Sequence, residues 1–158
     1  MTDLQPLRIL ALDPGERVGW ARAVVAPDGS WSELRHGITP LKDMALAVSK
    51  ADYDVIVCED WRLRPATARN FIGSSFPSVQ FIGMVRLCCW LSNTKLVMQG
   101  ADTKSTADKT MAQLWPAMFE KVSASRAHDD AHDMDAIRHL WFYTYRNTDG
   151  IPQPQEAA

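Results

Sequence analysis

The chain has 158 residues, 46% of them hydrophobic and 23% charged, enough for one domain with its own core and no disulfide staples. No run approaches the ~18 apolar residues of a membrane span, and the N-terminus lacks a charged region followed by an apolar run, so a cytoplasmic protein is expected. The net charge of −2 excludes a uniformly basic nucleic-acid binder, so any DNA contact must come from a local patch. Cys58, Cys88 and Cys89 are too few and too irregularly spaced for a disulfide framework or a zinc ribbon, and they read as thiols in apolar runs.

In chain order, Arg8 to Asp13 predicts a buried strand, Pro14-Gly15 a turn, and Val18 to Val25 a second strand. Pro27-Asp28-Gly29 turns the chain into a third strand from Trp31 to Gly37, and tight turns imply an antiparallel meander. Leu41, Met44, Ala45 and Val48 follow at helical spacing. Val55 to Glu59 is a short apolar strand ending in a carboxylate, as suits a central strand covered on both faces. Residues 61–76 form a basic connection. A helix from Val79 to Leu91, a strand from Lys95 to Met98, a helix from about Thr106 to Phe119 interrupted near Pro116, and a last helix from about Asp129 to Arg146 complete the fold. Residues 1–148 read as a single domain and 149–158 as a flexible, proline-rich tail. The expected class is α/β, with a mixed sheet flanked by helices.

Three places carry chemistry. Asp13 ends the first strand just before Pro-Gly, a rigid and open position for a metal ligand, although Asp-Pro-Gly is also ordinary turn chemistry. Glu59 ends the second clearly buried strand. If the two strands are parallel neighbours, both carboxylates emerge at one sheet edge, and a divalent cation would relieve their repulsion. Asp60, next in line, points to the opposite face by alternation. Ala127 to His139 holds four aspartates and three histidines in thirteen residues. Helical spacing puts His132 and Asp135 on one face and Asp130 and Asp133 on another, about 200° apart, so both pairs cannot serve one site. An apolar stripe of Ile137, Leu140 and Trp141 runs nearer the second pair, while the N-terminus of a helix attracts acidic residues for its own reasons.

Leu12-Asp13-Pro14-Gly15 with Gly19-Trp20-Ala21, Val55 to Glu59, and His132-Asp133-Met134-Asp135-Ala136-Ile137 together resemble, in order and spacing, the three motifs of the RuvC-like Holliday junction resolvases. The His-x-x-Asp form resembles phage-type members. The resemblance implies an RNase H-like fold and an endodeoxyribonuclease that resolves four-way junctions and related branched DNA, flaps included. Asp13, Glu59, His132 and Asp135 would be both catalytic residues and ligands of two Mg2+ or Mn2+ ions, with Asp13 bridging ions about 3.5–4 Å apart. Lys104 and Lys109 would approach the phosphate, and Arg62, Arg64 and Arg69 would position the backbone. Trp61 and Phe71 are candidates for stacking on unpaired bases, or for core packing. A homodimer is implied by the symmetry of a junction; Phe76, Phe81, Met84, Val85, Leu87 and Trp90 would supply its contact or the core. Rival readings are a non-catalytic branched-DNA-binding protein, a mononuclear hydrolase using His128 and His132, and an actin-type ATP-binding protein. The last would require a second glycine-rich loop and a longer chain.

Overall fold

The computed structural model describes residues 5–50, 52–61, 76–125 and 131–148. Five strands, β1 (Leu7–Asp13), β2 (Arg17–Val25), β3 (Trp31–Pro40), β4 (Val55–Glu59) and β5 (Lys95–Gln99), form one sheet in the order β3-β2-β1-β4-β5. β1, β2 and β3 make the antiparallel meander expected from their turns, whereas β4 and β5 run parallel to β1. Five helices are described: α1 (Leu41–Lys50), α2 (Pro77–Ser92), α3 (Thr103–Leu114), α4 (Pro116–Ala124) and α5 (His132–Asn147).

Alternation along the strands sorts the core into two layers. Ile9, Ala11, Val55 and Val57 face a core made with α5, α3 and α4, while Leu10, Leu12, Ile56 and Cys58 face α1 and α2. Both faces of β1 and β4 are therefore buried, which explains their continuous apolar runs. The first layer is anchored by three mutually packed tryptophans. Trp31 lies 5.6 Å from Trp115 and 6.0 Å from Trp141, with Trp115 and Trp141 5.8 Å apart.

The sequence predicts α3 and α4 as a helical stretch from about residue 106 to 119, interrupted or ended near Pro116. In the structure they are two. α3 begins earlier, at Thr103, and the chain leaves helical geometry at Trp115 (φ −145°, ψ 68°), before Pro116 starts α4. Proline disfavours the helical conformation for the residue preceding it, so the break falls at Trp115, and Pro116 serves as a helix start. β3 extends three residues past Gly37, through the pairing of Val18 with Thr39 and Gly19 with Ile38.

The close seating of α5 depends on Gly19, which pairs with Asp13 across β1 and β2. A Cβ at Gly19 would lie 2.0 Å from the His132 carbonyl oxygen, so only glycine lets the start of α5 approach this strand. Gly19→Ala is expected to lower the unfolding free energy by about 1–3 kcal/mol in urea denaturation. Gly83→Ala, on α2 where an added Cβ meets nothing within 4 Å, should instead raise it by about 0.5–1 kcal/mol. Equal effects of the two substitutions would contradict this packing.

Candidate metal centre

Asp13, Glu59 and Gln99 terminate three adjacent parallel strands, and the strand parity that buries Ile9, Ala11, Val55, Val57 and Val97 points all three towards α5. This is the edge where open α/β sheets bind ligands, beyond the carboxyl ends of their strands. α5 crosses that edge with His132, Asp135 and His139 at i, i+3 and i+7, on one helix face. α3 follows a short turn after β5 and delivers Lys104 from its first turn.

These side chains converge. The Lys104 ammonium nitrogen lies 2.7 Å from Glu59 Oε2, 2.7 Å from Asp135 Oδ2 and 3.2 Å from Asp13 Oδ1. His132 Nδ1 is 2.5 Å from the other Asp13 oxygen. The His132 ring rests over Gly15, where a Cβ would come within 3.0 Å of Nε2 and Cε1. Both glycines of the Gly15/Gly19 pair thus leave room for one histidine, Gly15 for its ring and Gly19 for its backbone.

The electrostatics follow from burial and crowding. Burial pushes the Asp13 carboxyl up; the hydrogen bond to His132 and the Lys104 charge pull the other way, and neighbouring Glu59 adds to the rise, so Asp13 stays above the usual carboxylate value. Burial also acts on Glu59, but hydrogen bonds from His139, Asp13 and Lys104 reverse it and hold this carboxyl well below the usual range. Burial alone would lower the Lys104 ammonium; the Asp13 charge and hydrogen bonds to Asp135 and Glu59 raise it instead. The hydrogen bond to Asp13 outweighs burial at His132 and raises that imidazole. One ammonium among three carboxylates acts as a stand-in cation, and an all-oxygen set with imidazole at its margin is the donor chemistry that Mg2+ or Mn2+ takes.

Of the residues singled out in the sequence, Asp13, Glu59, His132, Asp135 and Lys104 are brought together. Asp133 is not: its Oδ2 lies 2.8 Å from His36 Nδ1 on β3. Lys109 is exposed on α3, outside the cluster. Arg62, Arg64, Arg69, Phe71, His128 and Asp130 lie outside the described residues. Trp61 is half-buried, 5.2 Å from the Phe76 ring, and packs against the second core layer. Asp60 turns the other way, as alternation requires, with Arg86 of α2 3.8 Å away. Phe81 and Val85 are core residues, whereas Leu87 and Trp90 are exposed.

Sequence reasoning missed a supporting layer. Arg138, only 2% exposed, places Nη1 2.6 Å from Asp135 Oδ1, Nε 2.8 Å from Asp108 and Nη2 3.2 Å from the Val122 carbonyl. His139, with no exposed surface, places Nε2 3.1 Å from Glu59 Oε2 and Nδ1 2.8 Å from Gln99 Oε1. The available signal was the spacing of His139 from His132 and Asp135. Asp108 and Gln99 gave none, because their partners are distant in sequence.

No protein-family model matches the chain, and no curated protein matches it in sequence. Solved structures do match in shape. RuvC of T. thermophilus, in complex with a Holliday junction substrate, superposes with a TM-score of 0.53 at 11% identity, covering 89% of this chain and 95% of that one. The yeast mitochondrial Holliday junction resolvase Ydc2 gives 0.52 at 14% identity, covering 92% and 82%. The fold is RuvC-like. Within the RuvC-like fold the cluster stands at the ends of β1 and β4, capped by α5.

Lys104→Met leaves three partly buried carboxylates without their cation. The expected loss is about 3 kcal/mol of unfolding free energy in chelator. Added Mn2+ should raise the melting temperature of this variant more than that of the wild type, since metal and ammonium compete for the same oxygens. Equal shifts in differential scanning fluorimetry would contradict that competition.

Proposed function

We propose that this protein is a divalent-metal-dependent endodeoxyribonuclease that cuts branched DNA, with the four-way junction as its principal substrate. The observation that supports it is the convergence of Asp13, Glu59, His132, Asp135 and Lys104 at the strand ends of a RuvC-like fold. Asp13, Glu59, His132 and Asp135 would hold the metal, with Asp13 shared between two ions. Bound divalent cations at such a site activate water for in-line attack on a phosphodiester and stabilise the departing oxygen.

The chain's own residues have distinct tasks. Asp13 and Glu59 are fixed by strands buried on both faces, which holds their oxygens in register. Asp135 is steered by Arg138, which takes Oδ1 and leaves Oδ2 turned into the site. His132 is the most exposed of the four proposed ligands, and its Nε2 is placed to accept a proton from water or to bind metal. Lys104 can swing its ammonium from the carboxylates to a phosphate oxygen, a short move for a four-carbon stem. Lys109, with Arg62, Arg64 and Arg69, is proposed to track the DNA backbone. A junction has two-fold symmetry and two strands to cut, so a homodimer is proposed. The exposed Leu87, Trp90 and Leu91 of α2 are apolar surface suited to such a contact.

The test is incubation of labelled four-way junction, flap and linear duplex with Mg2+ or Mn2+. Cleavage of the junction in preference to duplex is expected, with Mn2+ at least as effective as Mg2+ because imidazole suits manganese better. Asp13→Asn, Glu59→Gln and Asp135→Asn should each abolish cutting while junction binding persists; His132→Ala should reduce it severely, and Asp130→Asn should be tolerated. A junction bound but never cut by the wild type with either metal would favour the non-catalytic reading. Binding should also weaken steeply between low and moderate salt, through counterion release by the basic residues. A nearly salt-independent affinity would remove them from the DNA contact.

A further inference from the structure

Resting on the nuclease reading, we propose that His139 is itself a metal ligand, forming with Asp13 and Glu59 one of the two cation sites and leaving His132 and Asp135 to serve the other. Ligand atoms of Asp13, Glu59 and His139 all lie within 4.8 Å of one another, close enough to surround a single ion. The histidine is fully buried in the wall of the site.

Its hydrogen bonding is what distinguishes it. His139 Nδ1 donates its N–H to Gln99 Oε1 at 2.8 Å, and Thr103 Oγ1 stands 3.5 Å from the same nitrogen. With Nδ1 committed to an amide oxygen, the ring is fixed so that Nε2 points into the carboxylate cluster. This is how metal-ligating histidines are held, with the far nitrogen bonded to an oxygen that fixes tautomer and ring plane. Here Nε2 is hydrogen-bonded to Glu59 Oε2 at 3.1 Å, inside the carboxylate cluster. A cation bound between Nε2, Glu59 and Asp13 would replace that contact with shared coordination. Gln99 is held in turn, since it ends β5 beside Glu59 and its carbonyl accepts the Asp60 N–H at 2.7 Å.

His132 is built differently. Its Nδ1 is engaged by Asp13 and its ring lies over Gly15, on the side of the cluster nearer Asp135 and the surface. The seven-residue spacing puts the two histidines two helical turns apart, about 10 Å along the α5 axis. They therefore approach the carboxylates from opposite ends, one imidazole for each ion.

The chain has four histidines, so a triple variant, His36→Gln/His128→Gln/His132→Gln, leaves His139 as the sole imidazole. With histidine labelled by 15N, Mn2+ bound to the full chain is measured by pulsed electron paramagnetic resonance. The expected result is a directly coordinated histidine 15N coupling in this triple variant. In calorimetry, His139→Gln should weaken Mn2+ binding at one site by at least about tenfold, with circular dichroism confirming the fold. Mn2+ bound to the triple variant without histidine coupling would overturn the assignment while leaving the nuclease reading intact. So would loss of all Mn2+ binding in the triple variant alone. Absence of Mn2+ binding in the wild type would overturn both.

Discussion

Three carboxylates, Asp13, Glu59 and Asp135, meet at one partly buried point, and the rest of the structure is arranged around that electrostatic constraint. Unit charges at 4 Å repel by about 4 kcal/mol each pair at an effective dielectric constant of 20. Lys104 opposes that repulsion directly, and Arg138 and His139 take up carboxylate oxygens from behind. Each of these counter-groups is placed by a different element. α3 carries Lys104, α5 carries Arg138 and His139, and the strand ends fix Asp13, Glu59 and Gln99. The cluster is therefore the point where the sheet and two helices are tied together.

The same constraint explains the packing of α5. The helix must come near enough for His132 to reach Asp13, and the antiparallel strand β2 stands in the way except at Gly19. Nearly all of its surface is then covered, including Arg138, His139 and Thr144 as well as its apolar residues. The buried Arg138–Asp108 pair links α5 to α3, the helix that delivers Lys104. Carboxylate geometry and interhelix packing thus share a residue, so disturbing one should be felt in the other.

Much of this was legible in the sequence. The wholly apolar runs ending in Asp13 and Glu59 announced adjacent buried strands, because alternation and length leave few other uses for such runs. The i, i+3 relation of His132 and Asp135 was visible too. The choice between that pair and Asp130 with Asp133 was not decided by the Ile137, Leu140 and Trp141 stripe. A stripe identifies one buried face only when the other is solvated, and α5 is buried on nearly every side. The described geometry gives Asp133 a separate role, bonded to His36 across the sheet. The roles of Asp108 and Gln99 depended on tertiary neighbours; a buried aspartate reads the same as a surface one until its arginine is in place.

We propose that these residues form a divalent-cation centre organised on Asp13. A crystal of the full chain grown with Mn2+ and measured at the manganese absorption edge tests it most directly. Two anomalous peaks flanking Asp13 are expected, with Lys104 displaced from the three carboxylates. Manganese found only elsewhere on the surface, with Lys104 still bonded to Asp13, Glu59 and Asp135, would contradict it.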